Sequence, residues 1–203
     1  MIYIGADPGT ANYAYSVIEC KRTSINILEI GMVQATITNL TKNHAKPPKS
    51  KRKKKQPIIL IPPFDTQFKE YKTTWDILIE EFKPVKITVE RFQSRGYQGS
   101  QVIEAVSMMN GILSALAYAS NVEYENHIAG TWKNNLNKYL SNNPQLNLSH
   151  LEEIYESCNA IPNHVVDSIF INLYGMLRHK SKAWSDLNLV KLIKDIQKYE
   201  YIK

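Results

Sequence analysis

Cysteine is almost missing from this chain: Cys20 and Cys158 are the only two, and no CxxC pair exists. That argues against a disulfide scaffold or a thiolate zinc site, and both are expected to be reduced thiols. No run of about eighteen apolar residues occurs, which excludes a helical membrane span. No basic leader with an apolar core and a cleavage site opens the chain, so a cytoplasmic setting is expected. Acidic residues are absent from one whole stretch. Residues 42–57 hold eight Lys or Arg, including the unbroken run Lys51, Arg52, Lys53, Lys54 and Lys55, and no Asp or Glu. Outside that arm 17 basic residues stand against 19 acidic ones, so the net charge of +6 belongs to one segment. A basic arm of this density points to a polyanion, nucleic acid first. A nuclear localisation signal and the lysine bias of an AT-rich genome are the competing readings.

What is present suffices for one core: 203 residues, 43% of them hydrophobic. Ile2-Tyr3-Ile4-Gly5-Ala6-Asp7 reads as a strand ending on a carboxylate, with Pro8-Gly9 as turn punctuation. Ala11 to Cys20 and Ile25 to Gln34 read as two more strands, giving an antiparallel meander. The arm at 42–57, with its Pro-Pro pair, reads as a mobile loop. Ile58 to Ile61 returns to the sheet or its edge. Apolar residues at three- and four-residue spacing predict a helix over Phe64 to Phe82, stopped by Pro84. Lys86 to Glu90 repeats the opening pattern, a short β-branched strand ending on an acid. A helix over Gln101 to Ser120, a strand over Asn121 to Glu125, a helix over Thr131 to Tyr139 and a short helix over Leu148 to Cys158 follow. Asn163, after Pro162, is a fair N-cap for a helix running through Gly175. Lys180 to Lys203 reads as a further amphipathic helix. The domain is expected over 1–180, with 181–203 as a helical extension.

Four side chains carry the chemistry. A crossover through the helix at 64–82 lets the strands holding Asp7 and Glu90 lie parallel, with the two carboxylates side by side. His164 and Asp167 are three apart and share one helical face. Each has a bland alternative: Asp7 as a turn starter, Glu90 paired with Arg91 or Arg95, and His164 bonded to Asp167. Clustered carboxylates favour a cation, and hard oxygen donors favour Mg²⁺ or Mn²⁺. Three carboxylates and an imidazole could hold two such ions, about 3.5–4 Å apart in sites of this class.

Asp7 in Ile-Gly-Ala-Asp-Pro-Gly-Thr, Glu90 in Ile-Thr-Val-Glu-Arg-Phe, and His164-Val-Val-Asp167 together resemble the RuvC-type Holliday junction resolvases of the RNase H-like superfamily. The resemblance covers roughly residues 1–180. It implies an RNase H-like α/β fold, a mixed five-stranded sheet flanked by helices. It implies a homodimer that nicks four-way DNA junctions with divalent metal. The catalytic acids map onto Asp7, Glu90 and Asp167. The fourth position, an acid in some members and histidine in others, is His164. Phe92 stands near the family's junction-centre aromatic, and Lys133 best matches a phosphate-contacting lysine, with Lys138 weaker. Arg95 and Lys51 to Lys55 join the expected DNA-binding set. The basic arm and the C-terminal extension depart from bacterial members. The Asn- and Lys-rich composition suits a phage, a virus or a low-GC bacterium.

Other classes compete. Actin-like and sugar-kinase ATPases also open on a strand, Asp, Gly and Thr, but no second phosphate loop or Gly-rich adenosine motif follows. An RNase H-like nuclease for flaps, branched DNA or RNA–DNA hybrids is the alternative within the class. A junction-binding module without catalysis is the alternative outside it.

Overall fold

The structure is a computed structural model that describes residues 1–9, 12–21, 24–34, 64–92, 100–142, 161–179, 191–192 and 194–196. The basic arm, the returning segment at 58–61 and the expected helix over 148–158 lie outside these residues. Strands β1 (Ile2–Asp7), β2 (Asn12–Cys20), β3 (Ile25–Gln34), β4 (Lys86–Glu90) and β5 (Glu123–His127) form one sheet in the order β3-β2-β1-β4-β5. The first three pair antiparallel as the expected meander, and β1–β4 and β4–β5 are parallel. The helices are α1 (Phe64–Phe82), α2 (Ser100–Ala119), α3 (Ala129–Ser141) and α4 (Asn163–Arg178). This is the mixed five-stranded α/β architecture that the family resemblance implied.

Strand periodicity sorts the molecule into three layers. On one face Ile4, Ala6, Tyr13, Val17, Ile87 and Val89 pack against Tyr71 and Trp75 of α1 and Met109 and Leu113 of α2. On the other, Tyr3, Ala14 and Ile18 pack against Trp132 of α3 and Val165, Ile169 and Leu173 of α4. Leu192 and Ile196, among the helical residues at 191–192 and 194–196, are buried in this second core. Part of the C-terminal extension is therefore core-forming.

Helix α4 lies directly on the sheet. A Cβ at Gly5 would collide with the Ser168 carbonyl and Asn172, and one at Gly175 with Thr88 Oγ1. The Asn172 amide donates to the carbonyls of Tyr3 and Ser16 at 3.0 Å, and Ser16 Oγ donates to the Ser168 carbonyl at 2.9 Å. These bonds pin α4 to β1 and β2 in the middle of the buried layer.

Several element ends shift by a residue or two from expectation, α3 at Ala129–Ser141 among them, and two of the differences have a plain cause. β5 begins at Glu123 because Asn121 and Val122 close α2. Asn121 takes φ 56, its N–H bonds the Tyr118 carbonyl, and the Val122 N–H bonds the Ala117 carbonyl. That is a Schellman stop, with asparagine in the left-handed position. At α4 the cap is Pro162, with φ −57 and ψ 137, and Asn163 is already helical. The Pro162 carbonyl accepts from the N–H groups of Val165 and Val166.

Candidate active site

Asp7 and Glu90 stand next to each other because they directly follow the paired residues Ala6 and Val89 of two parallel strands. Alternation places Tyr3, Gly5 and Asp7 on the face covered by α4, and Lys86, Thr88 and Glu90 likewise. The start of α4 reaches the same end of the sheet. His164 Nδ1 lies 2.6 Å from Asp7 Oδ2. From α3, the Trp132 indole N–H donates to Glu90 Oε2 at 2.8 Å. Lys133, the next residue, puts its ammonium 3.4 Å from Asp167 Oδ1 and 4.9 Å from the centroid of the Trp132 ring. Three acids from three elements thus meet three different donors. The bland pairing of His164 with Asp167 gives way to a bond between His164 and Asp7, across 157 residues of sequence.

The electrostatics follow from burial. Asp7 is only 5% exposed. Desolvation pushes its pKa up, the His164 bond opposes this, and the nearby Asp167 charge pushes it up again. Glu90 is raised to about 7, by burial first and then by the charges of Asp7 and Asp167, against the Trp132 bond and Lys133. His164 is raised by its bond to Asp7, against partial burial. These are like charges crowded together and only partly neutralised, a condition that a multivalent cation relieves. The donors are hard oxygens with one imidazole, a set suited to Mg²⁺ or Mn²⁺. Among the described residues no three His, Cys, Asp or Glu side chains stand together as a group that could hold a metal ion. Asp7, Glu90 and Asp167 are instead turned to His164, Trp132 and Lys133.

Of the remaining sequence-predicted residues, Phe92 lies two positions beyond Glu90 and is half-buried. Its neighbour Arg91 donates its backbone N–H to the His127 carbonyl at 2.7 Å, which ties the end of β4 to β5. Lys138 is exposed in the last turn of α3. Five residues past Lys133, it projects about 140° away around the helix. Arg95 and Lys51, Arg52, Lys53, Lys54 and Lys55 lie outside the described residues. Sequence reading missed Trp132, because an aromatic four residues before Leu136 and eight before Leu140 reads as an ordinary core stripe. It also missed a second polar cluster on the α4 face, at the opposite end of β4 from Glu90. There the buried Lys86 ammonium sits 3.0 Å from both Glu123 and Glu125, and Glu125 is also met by His127 at 2.9 Å and Arg178 at 3.2 Å.

No family model matches the sequence, and no curated protein matches it. Solved structures do match the fold. Thermus thermophilus RuvC in complex with a Holliday junction substrate is similar with a TM-score of 0.58 at 16% identity, over 90% of this chain and 98% of that one. A second Thermus thermophilus RuvC structure gives 0.56 at 15%, over 89% and 98%. The yeast mitochondrial Holliday junction resolvase Ydc2 gives 0.50 at 19%, over 95% and 83%. The likeness in fold extends over most of each chain. The chain has the RNase H-like fold of the RuvC-type resolvases.

Proposed function

We propose that this protein is a metal-dependent, structure-selective DNA endonuclease that resolves four-way junctions by paired nicks. The observation that carries the reading is the convergence of Asp7, Glu90 and Asp167, from β1, β4 and α4, at one end of the sheet. The likeness to a RuvC structure holding a Holliday junction supports branched DNA as the substrate.

Asp7, Glu90, Asp167 and His164 would hold Mg²⁺ or Mn²⁺, with two ions per site. When bound, such ions supply Lewis-acid stabilisation of the phosphate and a more acidic water. The chain's own residues prepare the place. Asp7 is fixed by the sheet on both sides and barely exposed, so its carboxylate is held still. Glu90, raised to about 7, changes between protonated and ionised forms near neutral pH. Lys133 is paired with Asp167 and 41% exposed, so it can turn its charge to an incoming phosphate. His164 is half-exposed at the start of α4 and can reach the phosphate or serve as a ligand. Phe92, two residues past Glu90 and half-buried, would be a surface on which an unpaired base at a junction centre stacks. Arg95, Lys138 and Lys51 to Lys55 supply non-specific phosphate contact.

A homodimer would present two such sites to the two-fold symmetric strands of a junction. The outer side of α2 supports this: Met108 and Tyr118 are exposed there, with open space at Gly111 between them. No described helix is long and apolar enough to cross a membrane, and no membrane partner is proposed.

The test is a panel of substrates with Mg²⁺: a synthetic four-way junction, a flap, a duplex and an RNA–DNA hybrid. Wild type should nick the junction in symmetric pairs and spare the duplex. Asp167→Asn should lose on the order of 10²-fold or more in rate, the scale at which removal of one electrostatic group is felt. Preferential cutting of the flap or hybrid would move the assignment within the class. Tight junction binding without cutting would make this a binding module.

A further inference from the structure

Trp132 is fully buried, yet its ring is not enclosed by apolar neighbours alone. Its N–H donates to one oxygen of Glu90, and its face carries the Lys133 ammonium, which in turn stands beside Asp167. One indole therefore touches one acid directly and a second through its neighbour in the chain. An indole nitrogen donates and never accepts. Its partner must accept, so Glu90 Oε2 faces the ring, with a second lone pair on that oxygen and those of Oε1 able to meet other partners. Core filling alone calls for no nitrogen here: Leu136 and Leu140, the other buried residues of α3, are purely apolar.

We propose that Trp132 is a positioning residue. Its N–H holds one oxygen of the Glu90 carboxylate and so limits the rotamers from which the other oxygen can meet a divalent cation, and its ring face holds Lys133 beside Asp167. The proposal rests on the nuclease reading above. A glutamate at a strand end has three side-chain torsions and no rigid seat of its own. An outer hydrogen bond that selects one rotamer shows up in ion affinity, commonly by about 10- to 100-fold.

The probe is Mn²⁺ alone, titrated into the full-length protein and followed through the electron paramagnetic resonance signal of the free ion. Junction cleavage and chelator-treated melting curves are recorded beside it. Trp132→Phe keeps an aromatic ring under Lys133 and removes the donor. Mn²⁺ binding should weaken by about tenfold. The kcat should fall with KM for the junction unchanged, and the melting temperature should move little. In a Glu90→Gln background the same substitution should add no further loss. Benzothienylalanine at position 132 preserves the indole shape and replaces the N–H by sulfur, which keeps the test open if the phenylalanine variant does not fold. Unchanged Mn²⁺ affinity in these variants, with the wild type binding normally, overturns the positioning role alone. A loss that persists undiminished in the Glu90→Gln background also overturns it, because the effect would then come from packing. A wild type that binds no Mn²⁺ overturns the nuclease reading and this role with it.

Discussion

Glu90 and Glu125 share one face of the sheet, and their burial ends in opposite signs. Glu90 is raised from 4.5 to about 7, so its contribution to stability is complete below pH 4.5 and is lost as pH rises through 7. Glu125 goes the other way. Burial alone would raise it, but hydrogen bonds from His127 and Lys86, with the Lys86 charge and Arg178, hold it at about 2. Its contribution is present above pH 4.5 and is lost as pH falls toward 2. In the metal-free protein these signs have measurable consequences. Glu90→Gln, which keeps an acceptor for Trp132, should melt about 2–4 °C above wild type at pH 8, with the gap closing toward pH 4.5. Glu125→Gln should melt below wild type at pH 6, and that deficit should shrink as pH falls toward 2. Differential scanning calorimetry in chelator over pH 3–8 checks both. Asp7 and Glu90 could be placed at neighbouring strand ends from sequence because each ends an apolar run in a carboxylate. The contact of Trp132 with Glu90 could not, because it is made through a single N–H that apolar periodicity does not register.

Among the elements, α4 is the one that sets the site. It carries His164 and Asp167 at its start, and its middle is seated on β1 and β2 by the Asn172 amide, the Ser16–Ser168 bond and the absence of a side chain at Gly5. A methyl group at Gly5 has nowhere to go except into backbone. Gly5→Ala should therefore cost about 1–3 kcal/mol or more, and should lower cleavage further by lifting α4 away from Asp7. Chemical denaturation, read beside junction cleavage at a temperature where the variant stays folded, separates the two effects. Most elements could be placed from sequence because their patterns are strong: β3, α1 and β4 begin and end where periodicity and punctuation put them. The misses arise from backbone chemistry. Asn121 in the left-handed conformation uses two residues to close α2, so β5 starts later than its apolar content suggests. Pro162 caps α4 through its fixed φ, which leaves the Asn163 side chain no capping role.

At the scale of the whole molecule, three layers hold one acidic end. α1 and α2 cover one face, α3 and α4 the other, and the parallel pair β1–β4 points its carboxyl ends at the site, the usual location in sheets with crossovers. The charge of +6 resides in the arm at 42–57, while the end of the sheet that carries Asp7, Glu90 and Asp167 is acidic. Such a division suits a protein that grips phosphates with one part and cuts them with another. Neutralising Lys51, Arg52, Lys53, Lys54 and Lys55 should weaken junction binding and flatten its salt dependence, the logarithmic slope falling by about 0.9 for each phosphate no longer neutralised. The rate at saturating DNA should stay unchanged. Fluorescence anisotropy across a salt series reads this out, and an unaltered slope would remove the arm from the interface. Its charge was legible in sequence, and residues 42–57 lie outside the described ones.

The central claim is that Asp7 anchors a metal-dependent cutting site for branched DNA. Its most direct test is Mg²⁺-dependent cleavage of a synthetic four-way junction by wild type and Asp7→Asn, both shown to be folded and to bind the junction. Symmetric nicking by wild type, reduced on the order of 10²-fold or more in the variant, is the expected result. Equal cleavage by the two proteins, or a wild type that binds Mg²⁺ and junction and leaves the DNA intact, would contradict it.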